Sequence, residues 1–436
     1  MALTIGIAGA TALLMVATVL IKPYINIGKI KIGLYWVVCL LGAILMLATK
    51  RISFGKVIDG ITANTSVNPL KILALFLSMT LLSIYLGDAG FFDFIADRIF
   101  LKSKGGQFKL FITLYLIVAL LTVFTSNDVI ILTFTPPICI FAKKAKISPL
   151  PFLFGEFIAA NTWSMALIVG NPTNIYLAGS FGVTFSQYFL VMFLPAICGG
   201  LTSLLVLTLL FRKQLFSPLP TADECLHTVK KIEIKKVPMA VALSHLVVCI
   251  ILLAISDFIG LEMWFICVCL ALSLTAFDLI FDGVAYHTIK PVWHSIKKEP
   301  YELIPFVLSM FIIVLALKEN GVTTALADLL ITGKKTDAVT FGFISAGASN
   351  LLNNIPMSVL FEGIVNGQSL PALYGSVIGS NIGAFITPVG ALAGIMWNKI
   401  LGGYKIKLSF FKFMLYGTAV AIPTLLTSTL SLLLLL

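Results

Sequence analysis

The chain has 436 residues, 59% hydrophobic and 11% charged, with a mean hydropathy of +1.05 and a formal net charge of +11. A soluble domain carries about 25% charged residues, so this composition excludes a water-soluble globular protein. Apolar runs near 20 residues recur along the whole length, which is the size of a membrane-crossing helix. A membrane β-barrel would show short alternating segments instead. The fold expected is therefore an all-α polytopic membrane protein.

Apolar stretches fall at about 3–21, 32–49, 69–87, 107–142, 150–182, 185–211, 238–256, 261–281, 300–318, 338–366, 370–398 and 408–436. The first, Leu3 to Ile21, has no basic residue before it and reads as a retained span rather than a cleaved leader. The stretch 107–142 breaks at Ser126-Asn127-Asp128, and 338–366 breaks at Ser349-Asn350-Leu351-Leu352-Asn353-Asn354. The stretch 150–182 breaks at Gly170-Asn171-Pro172-Thr173-Asn174, and 370–398 contains Gly379-Ser380-Asn381 followed by Thr387-Pro388. The seven cysteines lie mostly inside apolar runs and form neither a disulfide framework nor a zinc spacing. The histidines, His227, His245, His287 and His294, have no metal-ligand spacing either, so no metal is expected.

The chain repeats itself. Residues 69–97 match 300–328 at eight of 29 positions: Pro69/Pro300, Leu77-Ser78-Met79/Leu308-Ser309-Met310, Leu86/Leu317, Gly90/Gly321 and Ala96-Asp97/Ala327-Asp328. Further on, Ser126-Asn127 aligns with Ser349-Asn350, and Gly155, Ile158, Asn161, Val169 and Gly170 align with Gly375, Ile378, Asn381, Val389 and Gly390. Two copies with broken helices in matching places mark a secondary transporter. The organisation expected is N-terminal scaffold helices over 1–68 and a first repeat over 69–211. That repeat carries a re-entrant hairpin at 107–142 and a broken helix at 150–182. A cytoplasmic linker and further scaffold helices follow over 212–299. The second, inverted repeat covers 300–436, with its hairpin at 338–366 and broken helix at 370–398.

Charge orients this arrangement. With ten spans, two hairpins returning to their own sides and the 212–237 loop in the cytoplasm, 23 of the 30 Lys and Arg fall inside, and both termini outside. The net positive charge is then a topology signal, and the linker lies near anionic headgroups; a nucleic-acid partner is not expected.

A helix broken at membrane depth exposes backbone groups that lipid cannot satisfy, so the breaks must face protein or a wet cavity. Amides and hydroxyls at the breaks add short-range donors and acceptors without fixed charge. Ser126, Asn127, Asn161, Asn171, Thr173, Asn174, Ser349, Asn350, Asn353, Asn381 and Thr387 are the candidate substrate-binding residues. Asp128 is the one carboxylate at a hairpin tip. A charge at that depth costs roughly 2.5–3.5 kcal/mol, so it should pair, protonate or bind a cation; the alternative is a carboxylate capping the second half-helix. Glu156, near the cytoplasmic start of its broken span, is a weaker candidate. No Walker A, HExxH, GxSxG or dinucleotide motif is present. The chain is thus expected to be no enzyme and to hold no cofactor, drawing energy from an ion gradient or a partner.

The segments TSNDVIILTFTP (125–136), GNPTN (170–174), SNLLNNIP (349–356) and GSNIGAFITPVGALAGIMW (379–397) resemble the ArsB/NhaD permease superfamily over about residues 30–430. Within it they look most like the arsenite/antimonite efflux permeases. The resemblance implies inverted repeats and a secondary transporter in the cell (inner or plasma) membrane that exports arsenite or antimonite in exchange for protons, with Asp128 as coupling residue. Relatives in the wider group leave open a sodium/proton antiporter or a sodium-coupled anion or dicarboxylate carrier. The carboxylate carriers have Ser-Asn-Thr at both tips, where this chain has Ser-Asn-Asp and Ser-Asn-Leu. A fixed negative charge opposes an anionic substrate, whereas arsenite near neutral pH is an uncharged trihydroxide. The resemblance further implies a possible homodimer and leaves room for a cytoplasmic ATPase subunit.

Overall fold

The computed structural model describes residues 1–22, 24–27, 30–64, 68–101, 106–179, 181–218, 235–365 and 368–436. Lys29, Lys102, Lys104, His227, Lys230 and Lys231, and most of the linker, lie outside the described residues.

Helix α1 (Ala2–Ile21) leads through an antiparallel hairpin, β1 (Tyr24–Ile27) and β2 (Ile30–Gly33), into α2 (Leu34–Ala48). The hairpin, in register Tyr24 to Gly33, falls mostly between the apolar stretches 3–21 and 32–49 and is not among the expected elements. A short amphipathic helix α3 (Phe54–Thr62) follows.

Repeat one begins with α4 (Pro69–Asp88), whose start is set by Pro69 and capped by Asn68. After α5 (Phe91–Leu101) comes the first hairpin, α6 (Gln107–Phe124) and α7 (Asn127–Lys144), turned by extended Thr125 and Ser126. Helix α6 alone is long and apolar enough to cross a membrane, so its length also suits a full span. The broken helix is α8 (Leu150–Trp163), two 3₁₀ turns (Ser164–Ala166 and Ile168–Gly170) and α9 (Pro172–Gly179). The break is written in the chain: a residue before proline is driven to extended backbone, and Asn171 has φ −151°, ψ 139°. Gly170 is required because a Cβ there would overlap the Ser164 carbonyl. The repeat closes with α10 (Phe185–Leu210), held at its start by a Thr184/Gln187 capping box.

Helices α11 (Lys236–Ala254), α12 (Met263–Tyr286) and amphipathic α13 (Lys290–Lys297) precede repeat two. That repeat runs α14 (Leu303–Glu319), α15 (Val322–Leu330), hairpin α16 (Asp337–Leu352) and α17 (Asn354–Val365), broken helix α18 (Leu370–Gly383) and α19 (Leu392–Gly403), then α20 (Phe410–Leu433). Helices α14 and α15 meet at 76°, the bend falling at Gly321 with φ +72°, a value glycine adopts at little cost.

Six helices among the described residues pass a length-and-hydropathy test for a span, or seven with the bent pair. Exposed leucines, isoleucines and phenylalanines cover their outer faces, as lipid contact requires. The core is built by the hairpins and broken helices, while α10 packs on α20. The scaffold pairs are exchanged: α1 and α2 precede repeat one but α2 packs on α14, whereas α11 and α12 precede repeat two but pack on α4.

Helices α16 and α18 pack at backbone distance. Gly375, Gly379 and Gly383 form a small-residue stripe at four-residue spacing, which lets helices meet at backbone distance. A Cβ on Gly379 would overlap Ser345 Oγ and the Gly342 carbonyl; one on Gly375 would overlap the Ala338 carbonyl.

Candidate functional site

The four breaks converge, and their polar groups divide into two sets. The first centres on Asn381. Its amide nitrogen donates to Asn174 Oδ1 at 2.7 Å and to the Val377 carbonyl at 2.8 Å. Its oxygen accepts from Ser164 Oγ at 2.8 Å and Asn171 Nδ2 at 3.0 Å. Asn174 Nδ2 donates to the Ser164 and Leu167 carbonyls that the broken helix leaves open, at 2.9 and 3.1 Å. Asn171 Oδ1 takes the Thr173 amide at the start of α9, and Thr173 Oγ1 lies 3.0 Å from Ser380 Oγ. This network therefore repairs the break in repeat one with side chains from both repeats. It reaches hairpin one through Asn161, whose Oδ1 accepts from Asn127 Nδ2 at 3.2 Å.

The second set surrounds the other tip. Asn350 Nδ2 donates to the Ala346 and Gly383 carbonyls at 2.7 and 2.9 Å, and its Oδ1 accepts from the amide and hydroxyl of Thr387 at 2.9 and 2.6 Å. Ser349 Oγ donates to the Ala346 carbonyl at 2.9 Å. Asn353 stands at φ +72°, ψ 153°, outside the regions open to most side chains. Its amide nitrogen donates to the Val389 carbonyl at 3.2 Å.

The two tips differ in one decisive respect. Tip two is saturated: all of Asn350's hydrogen-bonding capacity is spent on protein. At tip one, Ser126 Oγ and Asn127 Oδ1 are buried and have no partner. Buried polar atoms are almost always paired, so these two oxygens, on successive residues of the tip, are open to a partner from outside the chain.

Asp128 follows at the second residue of α7, half-buried, and joins neither set. Among the described residues its carboxylate takes part in no salt bridge. At four-residue spacing it shares a stripe with exposed Leu132. The structure thus brings together Asn127, Asn161, Asn171, Thr173, Asn174 and Asn381, groups Ser349, Asn350, Asn353 and Thr387 separately, and leaves Asp128 beside the tip with its carboxylate unengaged.

Three participants carried weaker signals. Ser164 and Ser380 complete the Asn381 network, and only their adjacency to the break motifs hints at it. Glu156 is fully buried, accepting from Thr135 Oγ1 at 3.0 Å and Trp397 Nε1 at 3.3 Å. It ties hairpin one to α19 inside a cage of Phe154, Phe157 and Phe413 around Trp397. An acid surrounded by Phe residues in sequence gives no sign of a distant tryptophan donor.

The chain is 27% identical over 434 residues to an arsenical pump membrane protein of Escherichia coli, covering 96% of each chain. It is 25% identical over 369 residues to a putative arsenical pump membrane protein of Bacillus subtilis strain 168, covering 80% of this chain and 83% of that one. Among solved structures, the Alcanivorax borkumensis YdaH transporter, reported to have an unusual topology, superposes with a TM-score of 0.56 at 14% identity, covering 99% of this chain and 97% of that one. This last likeness establishes a shared fold. A family model described as a citrate transporter matches residues 16–369. With that match over most of its length, inverted repeats and helices broken around a polar centre, the chain belongs to the citrate transporter family (CitMHS) and is a multi-pass secondary transporter of the membrane.

Proposed function

We propose that the transporter exports arsenite or antimonite in exchange for protons by alternating access, with the central site built on Ser126, Asn127 and the Asn381 network. The observation that carries this reading is the pair of orphaned oxygens at tip one, set among amides and hydroxyls with no Lys, Arg or His in either polar set. Oxygen acceptors without cationic partners suit a small, uncharged guest rich in O–H donors, which arsenous acid is. A citrate or dicarboxylate anion would bring several charges to a site with no basic side chain, and buried charge without a partner is costly. The names carried by the arsenical pump relatives point the same way.

Asp128 is the proposed proton carrier. It lies one residue from the orphaned Asn127 oxygen and has no salt-bridge partner among the described residues, so its charge is free to be neutralised by a proton as the tip alternates between wet and dry surroundings. A homodimer and a cytoplasmic ATPase subunit are compatible additions, to be tested by mass in detergent and by co-purification.

The test is flux in proteoliposomes of the purified full chain, with and without an imposed pH gradient, for arsenite, sodium, succinate and citrate in parallel. Arsenite movement that follows the proton gradient and is lost in Asp128→Asn is the expected result. Sodium movement coupled to protons would identify a sodium/proton antiporter, and sodium-dependent succinate or citrate uptake an anion carrier; either without arsenite flux overturns the substrate.

A further inference from the structure

Two cavities flank the broken helices, one on each face. The outer, about 360 Å³, lies against Ile175 and Gly179 of α9 and is bounded by Lys71, Glu262 and Trp264. The inner, about 370 Å³, lies against Ile395 and Lys399 of α19 and is bounded by Tyr24, Tyr35, Tyr301, Glu299 and Glu302. The internal repeat maps one cavity onto the other. Lys71 corresponds to Glu302, in the register that pairs Pro69 with Pro300, and Ile175 corresponds to Ile395, in the register that pairs Gly170 with Gly390. In each, a carboxylate holds the aromatic residue at the start of a scaffold helix. Glu262 accepts from Trp264 Nε1 at 2.9 Å and pairs with Lys71. Glu302 accepts from Tyr35 Oη at 2.9 Å and the Gly33 amide at 3.3 Å.

The correspondence fails at one position. In repeat one, Asn68 is satisfied on all sides. Its nitrogen donates to the Ile61 and Ala63 carbonyls at 2.7 and 2.8 Å, and its oxygen caps α4 by accepting from the amides of Leu70 and Lys71 at 2.8 and 3.3 Å. Its counterpart, the residue before Pro300, is Glu299. Glu299 is 7% exposed, caps nothing, and neither carboxylate oxygen has a hydrogen-bond partner. The charged and titratable groups around it are Tyr301 and Glu302 on its own loop, Tyr24, Tyr35, Tyr85 and Lys399. Lys399 lies over the Tyr24 ring at 5.5 Å, the adjacent Lys298 pairs with Asp88, and Glu302 is taken by Tyr35 and Gly33. Among the described residues Glu299 has neither a salt bridge nor a hydrogen bond to offset a negative charge. A carboxyl in that position is least costly when it holds a proton, and burial pushes Glu299 up to about 8.

We propose that the inner cavity is a second proton-binding site, in which Glu299 holds a proton while α19 is packed over it and releases it to the cytoplasmic side when α19 moves away. This rests on the proton-exchange reading above. It gives the cycle a proton site at its inner mouth that the outer mouth, with Asn68 in the matching place, lacks.

The test uses everted membrane vesicles carrying the full chain, so that the cytoplasmic face meets the bath. Wild-type arsenite exchange, followed against bath pH, should show a step near pH 8. Glu299→Gln should lose the step, whatever its absolute rate, and Glu299→Asp should retain it. A Glu299→Gln variant that keeps the step overturns the proposal. A second measurement needs no substrate. A carboxyl whose folded value is raised is most stabilising below its unfolded value and loses that contribution as pH rises toward 8. Purified Glu299→Gln should therefore melt with wild type near about pH 5 and above wild type near about pH 9; equal melting at both overturns the assignment. Absent wild-type arsenite exchange, the transport reading fails while the melting comparison still decides Glu299.

Discussion

Replacing Asn381 by alanine removes a side chain that binds three residues of the other repeat, Ser164, Asn171 and Asn174. Its loss leaves Asn171 Nδ2 without an acceptor and leaves Asn174 Oδ1 with only a long 3.5 Å contact from Thr173. Ser164 Oγ survives, because it also donates to the Asn161 carbonyl. Each buried orphan costs about 1–3 kcal/mol, so Asn381→Ala should destabilise by about 2–5 kcal/mol. Asn174→Ala should cost a similar amount, about 2–4 kcal/mol, because the Ser164 and Leu167 carbonyls lose their donor. The double variant removes donor and acceptor of the 2.7 Å bond together, and it should be less damaged than the two single losses combined by about 1–2 kcal/mol. The assay is reversible unfolding of the purified protein in mixed micelles, run on wild type, both single variants and the double variant. Costs that add to within about 0.5 kcal/mol would show that these side chains do not act on each other, and the cross-repeat network would have to be abandoned.

Other consequences follow from the packing of repeat two. Gly379→Ala drives a methyl into Ser345 Oγ and the Gly342 carbonyl and should cost about 1–3 kcal/mol, whereas Gly347→Ala, on the exposed side of the partner helix α16 with open space around it, should be neutral or slightly stabilising; equal apparent melting temperatures would refute the close α16–α18 approach. At the second tip, Asn353→Gly and Asn353→Ala both lose the side-chain amide bond to Val389, but only glycine relieves the positive φ. The alanine variant should be the less stable by about 1–2 kcal/mol, and the reverse order in the same unfolding assay would mean the tip is not held in that conformation.

Much of the architecture was readable from residues. The breaks announce themselves by Asn-Pro at 171–172 and by Ser-Asn at both tips, and the structure places an extended or left-handed residue at or beside three of them: Asn171, Ser126 and Asn353. The β-hairpin at 24–33 is not among the sequence expectations, because it falls almost wholly in the connection between the apolar stretches 3–21 and 32–49, where charge rather than local structure drew the reading. The candidate site was legible as a list of residues but not as a pattern of bonding. Sequence treats the Ser-Asn pairs of the two tips as equivalent; only in the folded chain is Asn350 spent on Thr387 and Gly383 while Asn127 keeps an open oxygen. Glu156 reads only as a weaker candidate in sequence, and Glu299 is not singled out, for a related reason. What makes a buried acid notable is who stands across from it, and Trp397 is 241 residues away in sequence from Glu156.

The exchanged scaffold has a bearing on biogenesis. Helix α2 leaves the ribosome long before α14, the helix it packs on, and α4 likewise precedes α11 and α12. Neither half of the chain can complete its own exterior, so the first half must remain a loosely associated set of helices in the bilayer until the second is inserted. The two halves are thereby locked into joint maturation: co-expressed fragments split within 219–234 should accumulate only as a pair, and a chain stalled before α14 is one that membrane quality-control proteases can recognise by its bare helix faces.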